Sequence, residues 1–243
     1  MKSYSITDVG IKRKLNQDFV YCRQESIGSL PNLFIVADGM GGHNAGDRAS
    51  KSCVTTVTEF IKKDTELKTP VSLLEAAISE ANRQIIEEAD QDESLKGMGT
   101  TFVGMTIIND AMYVANVGDS RLYVINKSTG KIRQVTEDHS LVEEMVKNGE
   151  VERKNARFHP NKNIITRALG AAGEVSADFF EVNLEDDIVL MCSDGLSNMM
   201  DDDEIADTVL ENRDNLTIAG CTLVQKANDY GGKDNISIIL VEP

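Results

Sequence analysis

Apolar residues along this chain follow two rhythms, and the switches between them mark the elements. Tyr4 to Val9, Phe19 to Arg23 and Leu33 to Ala37 are short β-rich runs separated by polar segments, and they predict strands. From Gly46 to about Lys63 the apolar positions Ala49, Cys53, Val54, Val57, Phe60 and Ile61 recur at the helical period. Thr69-Pro70 starts a second expected helix: proline suits a first turn, Glu75 stands three after Ser72 as in a capping box, and Leu74, Ala77, Ile78, Ala81 and Ile85 form one face. Gly99 to Asn109, Ala111 to Val117 and Arg121 to Ile125 read as a meander, because their connections are short enough for antiparallel pairing. Ser140 to Asn148 reads as a short helix and Gly149 to Asn163 as polar and irregular. Strands return at Asp178 to Val182 and Asp187 to Cys192. Helices follow from Asp201, with Glu204 three residues on, and from Thr217 to Tyr230, and Ile236 to Val241 is the last strand. Strand pairs grouped apart from helix pairs predict an α+β layered domain instead of an alternating parallel α/β one.

Three of the core strands adjoin acids. The run ending at Ala37 stops at Asp38-Gly39, the run ending at Cys192 leads into Asp194-Gly195, and Asp234 stands just before Ile236. A carboxylate in such a place is costly, since burial and neighbouring like charge both disfavour its ionised form, and a bound cation removes the conflict. A single Asp-Gly is most often a turn. Two copies of the same plan with a third matching acid argue for a site, where the glycine admits a ligand close to the backbone and offers a carbonyl oxygen beside the carboxylates.

Composition narrows what such a site serves. With 243 residues, no linker-like tract and no repeat, a single domain, 1–243, is expected. The net charge of −15 argues against nucleic acid and anionic membrane surfaces as partners. No apolar run approaches the ~20 residues that span a bilayer, and no signal-peptide pattern opens the chain, so a cytoplasmic protein is expected. Cys22, Cys53, Cys192 and Cys221 have no C-x-x-C spacing and read as reduced, buried thiols. His43, His139 and His159 show no ligand pairing, which disfavours zinc; metal ligands here would be oxygens, suited to Mg²⁺ or Mn²⁺. Between Lys147 and Arg167 six basic residues stand against Glu150 and Glu152, reversing the local sign. That stretch is either a solvated loop or a flap receiving an anionic substrate.

Two hard ions about 3.5–4 Å apart hold a bridging water, lower its pKa and aim it at phosphorus. Asp38 is placed to bridge both, and the Arg13 guanidinium is of the type that grips two phosphate oxygens, although a lone arginine is more often a surface charge.

Seven segments in order, Arg13 to Asp18, Val36 to His43, Gly99 to Thr101, Ala115 to Arg121, Asp138 to Ser140, Ser193 to Gly195 and Gly232 to Asn235, resemble the motifs of the metal-dependent serine/threonine protein phosphatases of type two C, bacterial branch. The resemblance spans the chain. It implies a four-layer α-β-β-α sandwich, two antiparallel sheets flanked by helix pairs, with two Mn²⁺ or Mg²⁺ at one end. It implies metal ligation by Asp38, Asp194, Asp234 and the Gly39 carbonyl, orientation of the attacking water by Asp18, and phosphate binding by Arg13. Asp119 matches an acid that shares a third metal, and reads equally as a β-turn aspartate. Residues 138–167 correspond to the family's flap. Where eukaryotic members carry their histidine general acid this chain has Met40; His43 stands nearest, as acid or as a turn-stabilising residue, with metal-bound water a third candidate.

The implied activity is hydrolysis of phosphoserine and phosphothreonine by direct attack of a water bridging two divalent metals. Phosphorylated proteins are the implied substrates, a separate serine/threonine kinase the implied counterpart, and a monomer the implied state. A non-catalytic phosphopeptide-binding regulatory module of the same fold is the rival reading, although it would favour loss of the metal acids, which are all present. A nucleotide phosphodiesterase is disfavoured by the acidity of the chain and by the lack of stacking aromatics near the motifs.

Overall fold

The computed structural model describes residues 1–243 apart from His43, Asn44, Thr65, Leu67, Lys68 and Ala172. Its elements in order are β1 (Lys2–Asp8), β2 (Asp18–Arg23), β3 (Leu33–Met40), α1 (Ala45–Lys63), α2 (Pro70–Gln91), β4 (Gly99–Thr100), β5 (Phe102–Ile108), β6 (Ala111–Val117), β7 (Arg121–Asn126), β8 (Ile132–Gln134), α3 (Leu141–Lys147), α4 (Arg153–Ala156), β9 (Asp178–Asn183), β10 (Asp187–Cys192), α5 (Asp194–Ser197), α6 (Asp202–Glu211), α7 (Leu216–Asp229) and β11 (Ile236–Glu242). One sheet runs β1-β11-β10-β7-β8. The other runs β2-β3-β5-β6-β9, with β4 paired to β3, and all pairings are antiparallel.

Alternation along the central strands explains the layers. On β3, Phe34 and Val36 face the other sheet and meet Val189, Met191, Ile239 and Val241. Leu33, Ile35 and Ala37 face the opposite way, onto α1 and α2. On β11, Ile236, Ile238 and Leu240 face α6 and α7. Strands covered on both faces need apolar residues at every position, which is why these stretches are continuous apolar runs. The result is the expected helix-sheet-sheet-helix sandwich.

Several local expectations change. Thr69, not Ser72, caps α2: its hydroxyl accepts from the Ser72 N–H at 3.1 Å, so Ser72 sits at the third helical position and Glu75 lies a turn too late for the box. Gly99 to Asn109 is two strands, because Thr101 leaves the ladder and turns its N–H to the Asp38 carbonyl. The stretch 149–163 contains α4, and the Ser-Asp-Gly segment after β10 coils into α5. Helices of four residues have no period for a sequence pattern to reveal. Cys53 and Cys192 are buried, but Cys22 is half-buried on the edge strand β2 and Cys221 is exposed on the outer side of α7; all four are free thiols. Cys221 falls off the stripe Ala219, Leu223, Ala227 that packs inward.

Residues 138–167 leave the sheets and return on themselves. The base of this segment is closed where Leu141 N–H donates to Ile164 O and Thr166 N–H to His139 O. Among the described residues no helix is long and apolar enough to cross a membrane.

Candidate active site

Five aspartates from five parts of the chain meet at one end of the sandwich. Asp18 and Asp38 are register partners across the β2–β3 ladder. Asp194 opens α5, directly after β10, and Asp234 lies two residues before β11. Asp119 sits in the turn between β6 and β7.

Glycines make this convergence possible. A Cβ on Gly195 would stand 1.9 Å from the Asn235 carbonyl oxygen, and one on Gly39 would stand 2.0 Å from the Gly46 carbonyl oxygen. The glycine after each acid therefore admits another segment of this chain. Gly39 also donates its N–H to Gln17 O at 3.1 Å.

Backbone, hydroxyl and amide contacts then hold Asp38, Asp18 and Asp194. Thr101 Oγ1 accepts from the Asp38 N–H at 2.9 Å and shares a hydrogen bond with Ser120 Oγ at 2.8 Å, while the Thr100 hydroxyl donates to the Asp38 carbonyl at 2.9 Å. Ser193 Oγ donates to Asp18 Oδ2 at 2.7 Å and accepts from the Ser237 N–H. Asn198 Nδ2 donates to Asp194 Oδ2 at 2.8 Å, and Lys162 Nζ from the 138–167 segment donates to Asn198 Oδ1 at 2.9 Å. Asn235 is buried and fully engaged: its Nδ2 donates to Val9 O and Leu15 O, and its Oδ1 accepts from the Gln17 N–H. These three bonds fasten the loop that carries Arg13.

Electrostatics show an uncompensated cluster. Asp38 is raised well above the usual carboxylate range, first by burial and then by the charges of Asp18, Asp194, Asp119 and Asp234. Asp194 is raised by burial and then by Asp119, Asp234 and Asp18. Burial lifts Asp119 to about 7, with Asp138 adding to it. Burial also lifts Asp18 to about 6, although hydroxyls of Ser237 and Ser193 pull it back. Asp18 Oδ1, Asp119 Oδ1 and Asp194 Oδ1 are shut off from solvent without a hydrogen-bond partner. Buried carboxylate oxygens are rarely left so, and a divalent cation fits the all-oxygen donor set.

Among the described residues no three His, Cys, Asp or Glu side chains close around a single ion-sized point. Hard ions such as Mg²⁺ take only one or two carboxylates each and fill the remainder with water. The arrangement is therefore a spread rim and not a preformed cage. Arg13 is drawn into the same rim, its Nη2 2.7 Å from Asp234 Oδ2, where phosphate contact alone was expected of it.

The model of one family, described as Protein phosphatase 2C, matches residues 11–227. The chain belongs to the protein phosphatase 2C family. This family member is 44% identical over 214 residues to the serine/threonine phosphatase stp of Listeria welshimeri, covering 86% of this chain and 84% of the relative. Among solved structures it is similar to the serine/threonine phosphatase of S. agalactiae, with TM-score 0.89, 37% identity and 98% of both chains covered. A second is the catalytic domain of the serine threonine protein phosphatase PstP in complex with two manganese ions, with TM-score 0.84 and 27% identity over 98% of this chain and 96% of that one.

The phosphatase 2C chain thus brings Arg13, Asp18, Asp38, Gly39, Asp119, Asp194 and Asp234 together. His43, the candidate acid, lies outside the described residues. Ser193, Asn198, Asn235 and Thr101 were not singled out in the sequence. Three of the four lie within quoted motifs, but only their contacts reveal what they hold. His139, inside the Asp138 to Ser140 motif, accepts from the Gly118 N–H through Nδ1 and pairs with Asp178 through Nε2, so it braces the turn bearing Asp119.

Proposed function

We propose that this chain is a protein phosphatase that removes phosphate from phosphoserine and phosphothreonine. The observation that carries the reading is the set of buried, partnerless carboxylate oxygens at the mouth of a phosphatase 2C fold. On this reading Asp38, Asp194, Asp234 and the Gly39 carbonyl hold two divalent cations, Mn²⁺ or Mg²⁺, and Asp119 shares a third. When bound, the cations neutralise the acids and supply an activated water at phosphorus. The two-manganese complex of the PstP neighbour supports the count of two.

The chain's own groups do the rest. Ser193 fixes Asp18 by Oδ2, which leaves Oδ1 as the acceptor that aligns the attacking water. Arg13 turns its guanidinium toward the phosphate oxygens from the rim, held there by the Asn235-fastened loop. His43 is the proposed donor to the leaving seryl or threonyl oxygen. Residues 1–243 act as one catalytic domain, with 138–167 as a flap above the site. The protein substrates are made by a serine/threonine kinase, with both enzymes in the cytoplasm and this one acting as a monomer.

The test is hydrolysis of a phosphothreonine peptide in Mn²⁺. Turnover that is lost on chelation and in Asp38→Asn is expected. No turnover, or turnover indifferent to both, removes the proposal.

A further inference from the structure

A cavity of about 560 Å³ opens beside Asp119 and Asp194 and runs beneath the flap, whose basic residues form one of its walls. Most cations along it are already spoken for. Arg121 is held by Asp138 through two nitrogens, at 2.9 and 2.7 Å. Arg153 is held by the buried Glu143 in the same forked way, Lys154 pairs with Glu152, and Lys162 is hydrogen-bonded to Asn198. Arg157 differs. Its Nη1 is shut off from solvent and has no hydrogen-bond partner in the protein, and its guanidinium stacks on the neighbouring Phe158 ring, 5.0 Å from the centroid. Phe158 itself is 74% exposed, the most exposed large apolar side chain among the described residues.

A guanidinium with spare donors on an aromatic platform is a carboxylate or phosphate reader, because its planar fork matches two oxygens and stacking fixes its plane. The cavity is lined by acids too: Asp138 and Glu143 are held by Arg121 and Arg153, Asp201 caps α6, Asp202 accepts from the Tyr123 hydroxyl, Asp203 is exposed, and Asp119 and Asp194 belong to the acid cluster. The α6 N-terminus further offsets the charge of Asp201, Asp202 and Asp203. With Asp119 and Asp194 given to cations on the phosphatase reading and Asp203 exposed to solvent, the unfilled hydrogen-bonding capacity left along this cavity is that of Arg157. It asks for an anion on the substrate distinct from the phosphate at the acid cluster.

We infer that Arg157, with Phe158, forms a subsite for an acidic side chain flanking the phosphorylated residue, so that the enzyme prefers acidic phosphoproteins. The inference rests on the phosphatase reading for its substrate but not for its contact. It assigns specificity within the flap to one named residue.

The test compares phosphothreonine peptides carrying Glu, Ala or Lys at each of the three positions on either side of the phosphothreonine. Wild type should favour one Glu-bearing peptide over its Ala counterpart by about tenfold in kcat/KM, the scale of one charge-assisted contact. The ratio should shrink as salt is raised. In Arg157→Ala the Glu/Ala ratio should fall toward one, and Arg157→Lys should restore part of it. Because the readout is a ratio within one variant, a general loss of activity does not move it. Equal turnover of Glu and Ala peptides by wild type, a preference for Lys, or a ratio unchanged in Arg157→Ala would each overturn the inference. If wild type hydrolyses none of the peptides the phosphatase reading fails, and fluorescence anisotropy with the same labelled peptides still decides whether Arg157 selects the acidic one.

Discussion

Arg13 Nη2 lies 2.7 Å from Asp234 Oδ2, so the residue proposed to hold phosphate is also the counterion of a residue proposed to hold metal. The charges of Asp234, Asp194 and Asp38 all favour the ionised guanidinium. Both partners are substantially exposed, with side chains 49% and 32% accessible, and such pairs are worth only about 0–1 kcal/mol. Phosphate or a cation therefore displaces the contact at little cost. Arg13→Ala should raise KM for a phosphopeptide by about tenfold, the loss of one charged contact. It should leave Mn²⁺ affinity unchanged or up to about fivefold tighter, since a competitor for Asp234 is gone. Steady-state kinetics with Mn²⁺ titrations check both, and weaker Mn²⁺ binding in the variant would contradict the account.

The acid cluster sets a pH dependence whose sign follows from its raised pKa values. Asp18 at about 6 and Asp119 at about 7 stand above the ordinary 3.8, in each case first because of burial. Between about pH 4 and pH 7 the folded, metal-free chain thus holds protons that the unfolded chain has released. Its stability from these groups is greatest at the acid end and is lost as pH rises through the folded values. Divalent cations favour the ionised forms and displace the protons. The gap in Tm between Mn²⁺ and EDTA samples should therefore widen from about pH 5 to about pH 7.5. A flat or narrowing gap in differential scanning fluorimetry would count against the cluster as the cation site.

Much of this site is legible in the sequence. Asp38, Asp194 and Asp234 announce themselves because a strand buried on both faces reads as an unbroken apolar run, and an acid at its edge has no ordinary reason to be there. The layers were legible for the same reason, as Phe34 and Leu33 alternate between two cores. What escaped depends on long-range meeting. Nothing local in Gly195 says that Asn235 will press against it, and nothing in Asn235 says that it will hold Val9 and Leu15. The Ser72/Glu75 box was misplaced because two hydroxyl residues three apart, Thr69 and Ser72, offer competing caps, and Pro70 at the first helical position decides for Thr69. The missing C-x-x-C spacing says that Cys221 is reduced but not whether it is buried, which depends on its place off the inward stripe of α7.

Asn235 should behave as a positioning residue. Removing its amide breaks its bonds to Val9 O, Leu15 O and the Gln17 N–H, which costs about 1–3 kcal/mol. Asn235→Ala should lower Tm and, by loosening the loop, raise KM for phosphopeptide. In the double variant with Arg13→Ala the KM effects should add to less than their sum, because both act through the same guanidinium. Additive effects would mean that Asn235 supports the fold without positioning Arg13.

Gly195→Ala tests whether close backbone approach builds the acid rim. The new Cβ would lie 1.9 Å from the Asn235 carbonyl oxygen, which is backbone and cannot swing aside, so the α5 turn and the Asp234 segment must separate. Overpacking of this kind costs about 1–3 kcal/mol in stability. The larger effect should be on ion binding: moving Asp194 away from Asp234 should weaken Mn²⁺ affinity by about tenfold or more, as expected when a carboxylate ligand is displaced or its support is lost. Calorimetric titration of Mn²⁺ at a temperature where circular dichroism shows the variant folded separates the two effects. A variant that is less stable but binds Mn²⁺ like wild type would show that the two acids need not be held together by this contact.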